Sequence, residues 1–135
     1  MATSSRWTTE RRRQAKLTAL VIASDDDLRD ALRALFDDLG YVATAVTSTD
    51  AAPEDLSRFS ILFFDIGLHV DAARAYLAEL SRREATPPTV VCSDRAHAET
   101  LASEFGVASI RKPFELEHLA EVVDDAIGTG KKPKS

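Results

Sequence analysis

Residues 17–40, LTALVIASDDDLRDALRALFDDLG, determine most of the fold. The stretch opens with seven apolar or small residues in a row, which is typical of a β-strand buried on both faces. Apolar residues then recur at helical spacing and form one continuous stripe: Leu28, Ala31, Leu32, Leu35, Phe36 and Leu39. Gly40 follows where helices commonly end in the left-handed conformation. A buried strand followed by an amphipathic helix is the repeating unit of a parallel sheet.

The same alternation continues to the end of the chain. Further strands are predicted at Tyr41–Val46, Ile61–Phe64, Thr89–Cys92 and Val107–Ile110. Further helices are predicted at Asp50–Phe59 (short and weak), Val70–Arg83, Ala98–Phe105 and Leu116–Ile127, the last closed by Gly128. Strict alternation with right-handed crossovers predicts a doubly wound α/β fold, a five-stranded parallel sheet in the flavodoxin-like order 2-1-3-4-5.

Length and composition limit the classes of protein to which the chain can belong. The 135 residues, 44% of them hydrophobic, suit one globular domain, predicted at 17–128. No run approaches the ~20 apolar residues of a membrane helix, and the N-terminus lacks the apolar core of an export signal. The single cysteine, Cys92, is predicted to be a buried thiol in a reducing compartment, so we expect a cytoplasmic protein. The absence of a cysteine/histidine cluster argues against structural zinc.

Charge is distributed unevenly along the sequence. The N-terminal tail, residues 1–16, carries five basic residues and one acid, a net of 5 − 1 = +4, and the C-terminal tail, residues 129–135, carries +3. Since the whole chain has a net charge of −5, residues 17–130 carry −5 − 7 = −12. An acidic body argues against nucleic-acid binding. We expect both basic tails to be solvated, and residues 1–14 and 130–135 to be poorly ordered or held only by neighbours.

Polar residues follow four of the predicted strands, at the edge where sites form in open α/β sheets. They are Ser24 to Asp27 after the first strand, Asp65 after the third, Ser93 and Asp94 after the fourth, and Lys112 and Pro113 after the fifth. A carboxylate, a hydroxyl and an ammonium group together suit phosphoryl chemistry. Each also has a structural interpretation: Asp25–Asp27 as the cap and first turn of a helix, Ser93 as a helix cap, and Lys112 as a surface lysine.

In these features the sequence resembles the receiver domain of bacterial two-component response regulators. The resemblance rests on the acidic opening of the first helix, closed by Leu39-Gly40-Tyr41, on the apolar run into Asp65, and on Lys112-Pro113-Phe114. It covers nearly all of residues 17–128.

The resemblance implies a role for several residues. Asp65 is then the phosphoacceptor, and Lys112 pairs with its carboxylate and with the phosphoryl oxygens. The Ser93 hydroxyl engages the phosphoryl group, and the Gly67 backbone carbonyl faces Mg²⁺. Pro113 often follows a cis peptide bond in this family.

The sequence also departs from the family pattern. Ala23 and Ser24 occupy the positions of the usual acidic pair, and Asp25 falls one residue later. Mg²⁺ prefers several oxygen ligands with carboxylates supplying charge. A site of Asp65, Gly67 and Asp25 is therefore predicted to bind Mg²⁺ weakly, with Asp25 or Asp94 as substitutes for the missing acid. Ser109 replaces the usual switch aromatic.

Two functions are compatible with these residues. The first is a stand-alone receiver that accepts a phosphoryl group from a histidine kinase or phosphotransfer protein and signals by binding a downstream protein. The alternative is a pseudo-receiver, a binding module that works without phosphorylation. An aspartyl phosphatase is disfavoured because such enzymes resemble longer scaffolds with a cap, so no enzymatic activity is expected. We expect no membrane partner, and a homodimer is compatible with the sequence.

Overall fold

The structure, a computed structural model, describes residues 8–14, 17–67 and 69–131. Its five strands form one parallel sheet in the order β2-β1-β3-β4-β5, which confirms the predicted fold class and strand order. The strands are β1 Thr18–Ile22, β2 Val42–Val46, β3 Ile61–Asp65, β4 Thr89–Ser93 and β5 Ala108–Arg111. Each lies within about one residue of its predicted position.

Helices cover both faces of the sheet. They are α1 Thr9–Gln14, α2 Asp26–Asp38, α3 Val70–Ser81, α4 His97–Phe105 and α5 Leu116–Lys131. The last helix continues past Gly128, where the sequence predicted its end. Alternate residues of β1 show the two-sided burial, since Ala19 and Val21 pack in the core under α2 and α5 while Leu20 and Ile22 pack in the core under α3 and α4.

The helix predicted over Asp50–Phe59 is wrong. Only a single 3₁₀ turn, Thr49–Ala51, forms in this part of the chain. The Asp55 carboxylate accepts a hydrogen bond of 2.9 Å from the backbone N–H of Ser57, and such local bonds compete with helical ones. Leu56 and Phe59 are buried nevertheless, so the segment closes its side of the core without a regular helix.

The N-terminal tail differs from its prediction in the part that the structure describes. Residues 9–14 form α1, and Arg12 is buried in an ion pair with Asp124 of α5 rather than solvated. Its partner, Asp124, is a buried carboxylate far along the chain, so the residues around Arg12 do not predict the ion pair. Residues 1–7 and 132–135 lie outside the described residues, so the prediction of poor order stays untested there. None of the described helices is long and apolar enough to cross a membrane.

Candidate functional site

The carboxyl edge of the sheet brings the predicted site residues together. Asp65 is the last residue of β3, Ser93 is the last of β4, and Lys112 directly follows β5. The register pairs Asp65 with Cys92 and Ser93 with Arg111, and the backbone N–H of Lys112 donates to the carbonyl of Ser93 at 2.9 Å. Three adjacent strands therefore deliver a carboxylate, a hydroxyl and an ammonium to one region.

Asp65 and Lys112 form an ion pair. The distance from Lys112 Nζ to Asp65 Oδ1 is 3.0 Å, and the Asp65 side chain is only 4% exposed. Burial lowers the pKa of Lys112, but the hydrogen bond and charge of Asp65 outweigh it, so that the pKa rises above its ordinary value of 10.5. The predicted approach of the two side chains is confirmed, and the interpretation of Lys112 as a solvated surface lysine is wrong.

The backbone after Lys112 holds the pair in place. The Lys112–Pro113 peptide bond is cis, as the resemblance implied. The next residue, Phe114, packs with its ring centroid 6.1 Å from that of Phe63 in β3. Lys112 therefore lies between β5 and a residue whose ring packs on the strand that carries Asp65.

Ser93 is fully buried and acts as a cap for the start of α4. Its hydroxyl donates to the carbonyl of Arg95 at 2.5 Å and accepts hydrogen bonds from the backbone N–H groups of Arg95 at 3.3 Å and Ala98 at 3.2 Å. This is the structural interpretation of Ser93 from the sequence. In the structure the hydroxyl proton is therefore directed at the Arg95 carbonyl.

The acidic residues after β1 are occupied elsewhere. The Asp25 carboxylate caps α2 by accepting from the Leu28 N–H at 3.1 Å, and Asp26 pairs with Arg29. Arg29 also donates to the carbonyls of Ala23 at 3.0 Å and Ser24 at 3.4 Å. The loop is thus tied to α2, and Asp25 serves as the helix cap rather than as a replacement for the missing acid.

The positions at the edge of the predicted site are less engaged. Asp94, with a side chain 67% exposed, lies 3.9 Å from the guanidinium of Arg95. It therefore faces solvent, although its charge contributes slightly to the raised pKa of Lys112. Ser109 is half-buried in β5 opposite Val91 and carries no aromatic ring. Cys92 lies beneath the site, where burial, helped by the charge of Asp65, raises the pKa of its thiol to about 12. It is thus a buried strand thiol, as predicted.

These residues fit a divalent cation poorly. No group of three histidine, cysteine, aspartate or glutamate side chains within the described residues is arranged to hold a metal ion. Lys112 occupies one oxygen of Asp65, and Gly67, at a φ of 62°, supplies a backbone carbonyl and no charge. Mg²⁺ keeps an octahedral oxygen shell and favours carboxylates, so one paired carboxylate and one carbonyl form a poor ligand set for it.

Arg29 is a site-shaping residue that the sequence interpretation missed. Its guanidinium determines which way the loop after β1 turns, since it holds two carbonyls and Asp26 at once. The spacing of Asp26 and Arg29, three residues apart on a helix, is the signal that predicts their pairing. The bonds to the carbonyls of Ala23 and Ser24 have no such signal.

The fold is similar to that of several solved structures, although no family model and no curated protein matches the sequence. NtrX from Brucella abortus matches at a TM-score of 0.73 and 25% identity, over 84% of this chain and 27% of NtrX. A response regulator receiver protein from Pseudoalteromonas atlantica matches at 0.68 and 21% identity, over 84% and 99% of the two chains. A CheY-like receiver domain from Methylobacillus flagellatus matches at 0.69 and 22% identity, over 82% and 98%. The chain thus spans about a quarter of the length of NtrX and nearly all of the other two.

The sheet order and the helices on both faces define a doubly wound α/β domain of the flavodoxin-like type. An acid–lysine pair lies at the carboxyl edge of its sheet. Within that class, the chain has the fold of a response-regulator receiver domain, as the sequence resemblance predicted.

Proposed function

We propose that the chain is a receiver of a two-component phosphorelay that accepts a phosphoryl group on Asp65. The observation that carries the proposal is the ion pair between Asp65 and Lys112. A carboxylate buried at the carboxyl edge, next to a cation that can follow charge onto phosphoryl oxygens, is the arrangement that acyl-phosphate formation needs. The donor is a phosphohistidine of a kinase or phosphotransfer protein.

The transfer is a single displacement at phosphorus. An Asp65 oxygen forms the new P–O bond, the P–N bond to the donor histidine breaks, and the imidazole nitrogen takes up a proton from solvent. Lys112 stays protonated and shifts from the carboxylate toward the phosphoryl oxygens. The chain is thus a stoichiometric acceptor and not an enzyme that releases product. The signal then passes to a downstream protein through contact.

Ser93 links the acceptor to α4 in this proposal. Its hydroxyl holds the N-terminus of α4 through Ala98 while Asp65 is unmodified. When the hydroxyl proton turns toward a phosphoryl oxygen, the bond that Ser93 donates to the Arg95 carbonyl is lost, and this loosens the residues that lead into α4. Because Ser109 lacks an aromatic ring, α4 rather than residue 109 reports the modification.

The alternative, a pseudo-receiver that binds its partner without phosphorylation, also has specific support. Ala23 and Ser24 stand where the family has its acidic pair, and Asp25 is used as a helix cap. Charge neutralisation then depends on Lys112 alone, which favours slow labelling.

Mass measurement separates the two functions. We expect the wild type, incubated with acetyl phosphate and Mg²⁺, to gain the mass of one phosphoryl group, and Asp65→Asn to gain none. Asp94→Asn, which removes an exposed carboxylate nearby, is the matched control and keeps the label. If the wild type stays unlabelled with both acetyl phosphate and a phosphorylated histidine donor, the pseudo-receiver is the better description.

A further inference from the structure

At the end of the molecule opposite Asp65, three groups are arranged to bind a guanidinium group. They are the Asp124 carboxylate of α5, the Leu39 carbonyl at the end of α2, and the ring of Tyr41 just before β2. We call this arrangement the guanidinium seat. It lies at the amino edge of the sheet, because Leu39 and Tyr41 lead into the start of β2.

Arg12 of α1 occupies the seat. Its Nη2 lies 3.0 and 3.1 Å from the two carboxylate oxygens of Asp124, and its Nη1 donates to the Leu39 carbonyl at 2.9 Å. The guanidinium carbon is 5.6 Å from the centre of the Tyr41 ring, and the side chains of Arg12 and Asp124 are each 2% exposed. The planar guanidinium donates to the carboxylate and to the carbonyl at once, a geometry that the ammonium group of lysine does not reproduce.

The helix that carries Arg12 depends on the seat. Its sequence, TERRRQ, contains no apolar residue, and helices this short are unstable alone in water. Of the α1 side chains whose burial is described, Arg12 is buried while Glu10 and Arg11 are exposed. Arg12 thus joins α1 to the core of the domain as an inserted side chain.

Charge favours a basic helix at this end of the molecule. The N-terminal segment of residues 1–16 carries +4 and residues 17–130 carry −12. In addition, α2 ends on Asp37 and Asp38, where the helix dipole disfavours acids and favours a cation nearby.

We infer that the seat is an exchangeable docking site whose occupant is an arginine of a basic helix, and that α1 of a second copy of this chain can take the place of the chain's own α1. A second copy presents the same helix, so the exchanged pair keeps every seat contact of the monomer. The difference between the two forms is then the effective concentration of the tethered helix, of the order of ~1 mM for a short tether. This inference does not depend on phosphorylation of Asp65.

Mixing two complementary variants tests the exchange. Arg12→Ala keeps the seat and loses its ligand, whereas Asp124→Ala keeps the ligand and loses the seat. We expect an equimolar mixture to form a heterodimer by native mass spectrometry and to melt at a higher temperature than either variant alone. Mixing Arg11→Ala with Asp124→Ala is the matched control and gives no heterodimer, because Arg11→Ala fills its own seat. A mixture of the first pair that behaves as the sum of its parts overturns the inference.

A measurement on the intact protein covers the case in which either variant fails to fold. Sedimentation equilibrium of the wild type from about 10 µM to about 1 mM brackets the effective concentration of the tethered helix. We expect the dimer fraction to rise across this range and to fall at least about tenfold in Arg12→Lys, which keeps the charge and loses the planar guanidinium. A wild type that remains monomeric at the highest concentration contradicts the exchange.

Discussion

Asp65 and Lys112 depend on each other for their charged states. Lys112 is three-quarters buried, and a buried ammonium ordinarily loses its proton more easily. The Asp65 carboxylate at 3.0 Å reverses that tendency, so the pKa of Lys112 lies above its usual value. Lys112 therefore stays cationic across the physiological range and, in the proposed function, neutralises charge on a phosphorylated Asp65.

We expect Lys112→Met to slow labelling of Asp65 by roughly 10²-fold, the usual loss when one preorganised charge is removed from a phosphoryl site. The rate of mass gain with acetyl phosphate measures it. Arg95→Met, which removes an exposed cation beside the site, is the control and leaves the rate unchanged. Equal rates in both variants would show that Lys112 plays no part in the transfer.

The raised pKa of Lys112 also predicts how stability depends on pH. A group whose pKa is higher in the folded than in the unfolded state contributes stability that is fully present below the unfolded pKa, near 10.5, and is lost as pH rises through the folded pKa. The difference in urea midpoint between wild type and Lys112→Met should therefore be constant from pH 7 to about pH 10 and shrink at higher pH. A difference that shrinks already between pH 7 and 9 contradicts the direction of the shift.

The loop from β1 into α2 determines how strongly the site can bind a divalent cation. Asp25 caps the helix and Arg29 ties the carbonyls of Ala23 and Ser24, so the loop presents no carboxylate in the place of the family's acidic pair. The Asp65 carboxylate, already paired with Lys112, supplies too little ligand charge for tight Mg²⁺ binding. Because Asp25 is used as the cap of α2, we expect the site to bind Mg²⁺ weakly.

We expect Ser24→Asp to tighten Mg²⁺ binding and speed labelling, because it restores a charged oxygen at the edge beside Asp65. Isothermal calorimetry with MgCl₂ measures the affinity, and Ser24→Asn, which adds similar bulk without charge, is the control. Tight binding by the wild type that Asp25→Ala abolishes would instead make Asp25 the missing ligand.

The start of α4 depends on Ser93 in a similar way. Ser93→Ala removes the oxygen that accepts from the Ala98 N–H, and loss of such a cap costs ~1 kcal/mol of stability. Ser93→Thr keeps the oxygen and is the control. Urea denaturation measures both, and hydrogen exchange at Ala98 should rise in the alanine variant. Unchanged protection there would contradict the coupling of Ser93 to α4.

The molecule as a whole is closed at its amino edge by the pair of Arg12 and Asp124, which are 112 residues apart in sequence. Taking two charges out of water is costly. The hydrogen bonds from Arg12 to both carboxylate oxygens of Asp124 and to the Leu39 carbonyl offset this cost. The pair joins α1, α2 and α5 into one unit, so the folded domain includes residues that precede β1.

Removal of one partner leaves the other charge buried and uncompensated. We expect Arg12→Ala to lower the free energy of unfolding by ~3–5 kcal/mol, and the double variant Arg12→Met/Asp124→Leu to lose much less, because it leaves no buried charge. Urea unfolding of the two proteins gives the comparison. If Arg12→Ala is at least as stable as the double variant, Asp124 is not left as an uncompensated buried charge, and the expectation is wrong.

Local patterns in the sequence are sufficient for the sheet, its order and most of its helices. Burial on two faces makes a parallel strand an apolar run, and one-sided burial makes a helix a stripe, so both can be detected in residues 17–40. The convergence of Asp65 and Lys112 follows as well, because parallel strands end at a common edge. The apolar spacing after β2 wrongly predicts a helix, because hydrogen bonds such as that of Asp55 compete with helical ones without altering the spacing.

Three-dimensional contacts decide the remainder. The sequence allows Asp25 either to face Asp65 or to cap α2. In the structure its carboxylate caps α2. Burial of Arg12 depends on a carboxylate far along the chain and on an aromatic ring brought there by the fold. Apolar burial is non-directional, so an apolar side chain can pack against almost any apolar neighbour. Sequence periodicity alone therefore predicts which face of a helix or strand is buried. Ion pairs and capping bonds are directional and specific to one partner, and only the assembled fold supplies that partner.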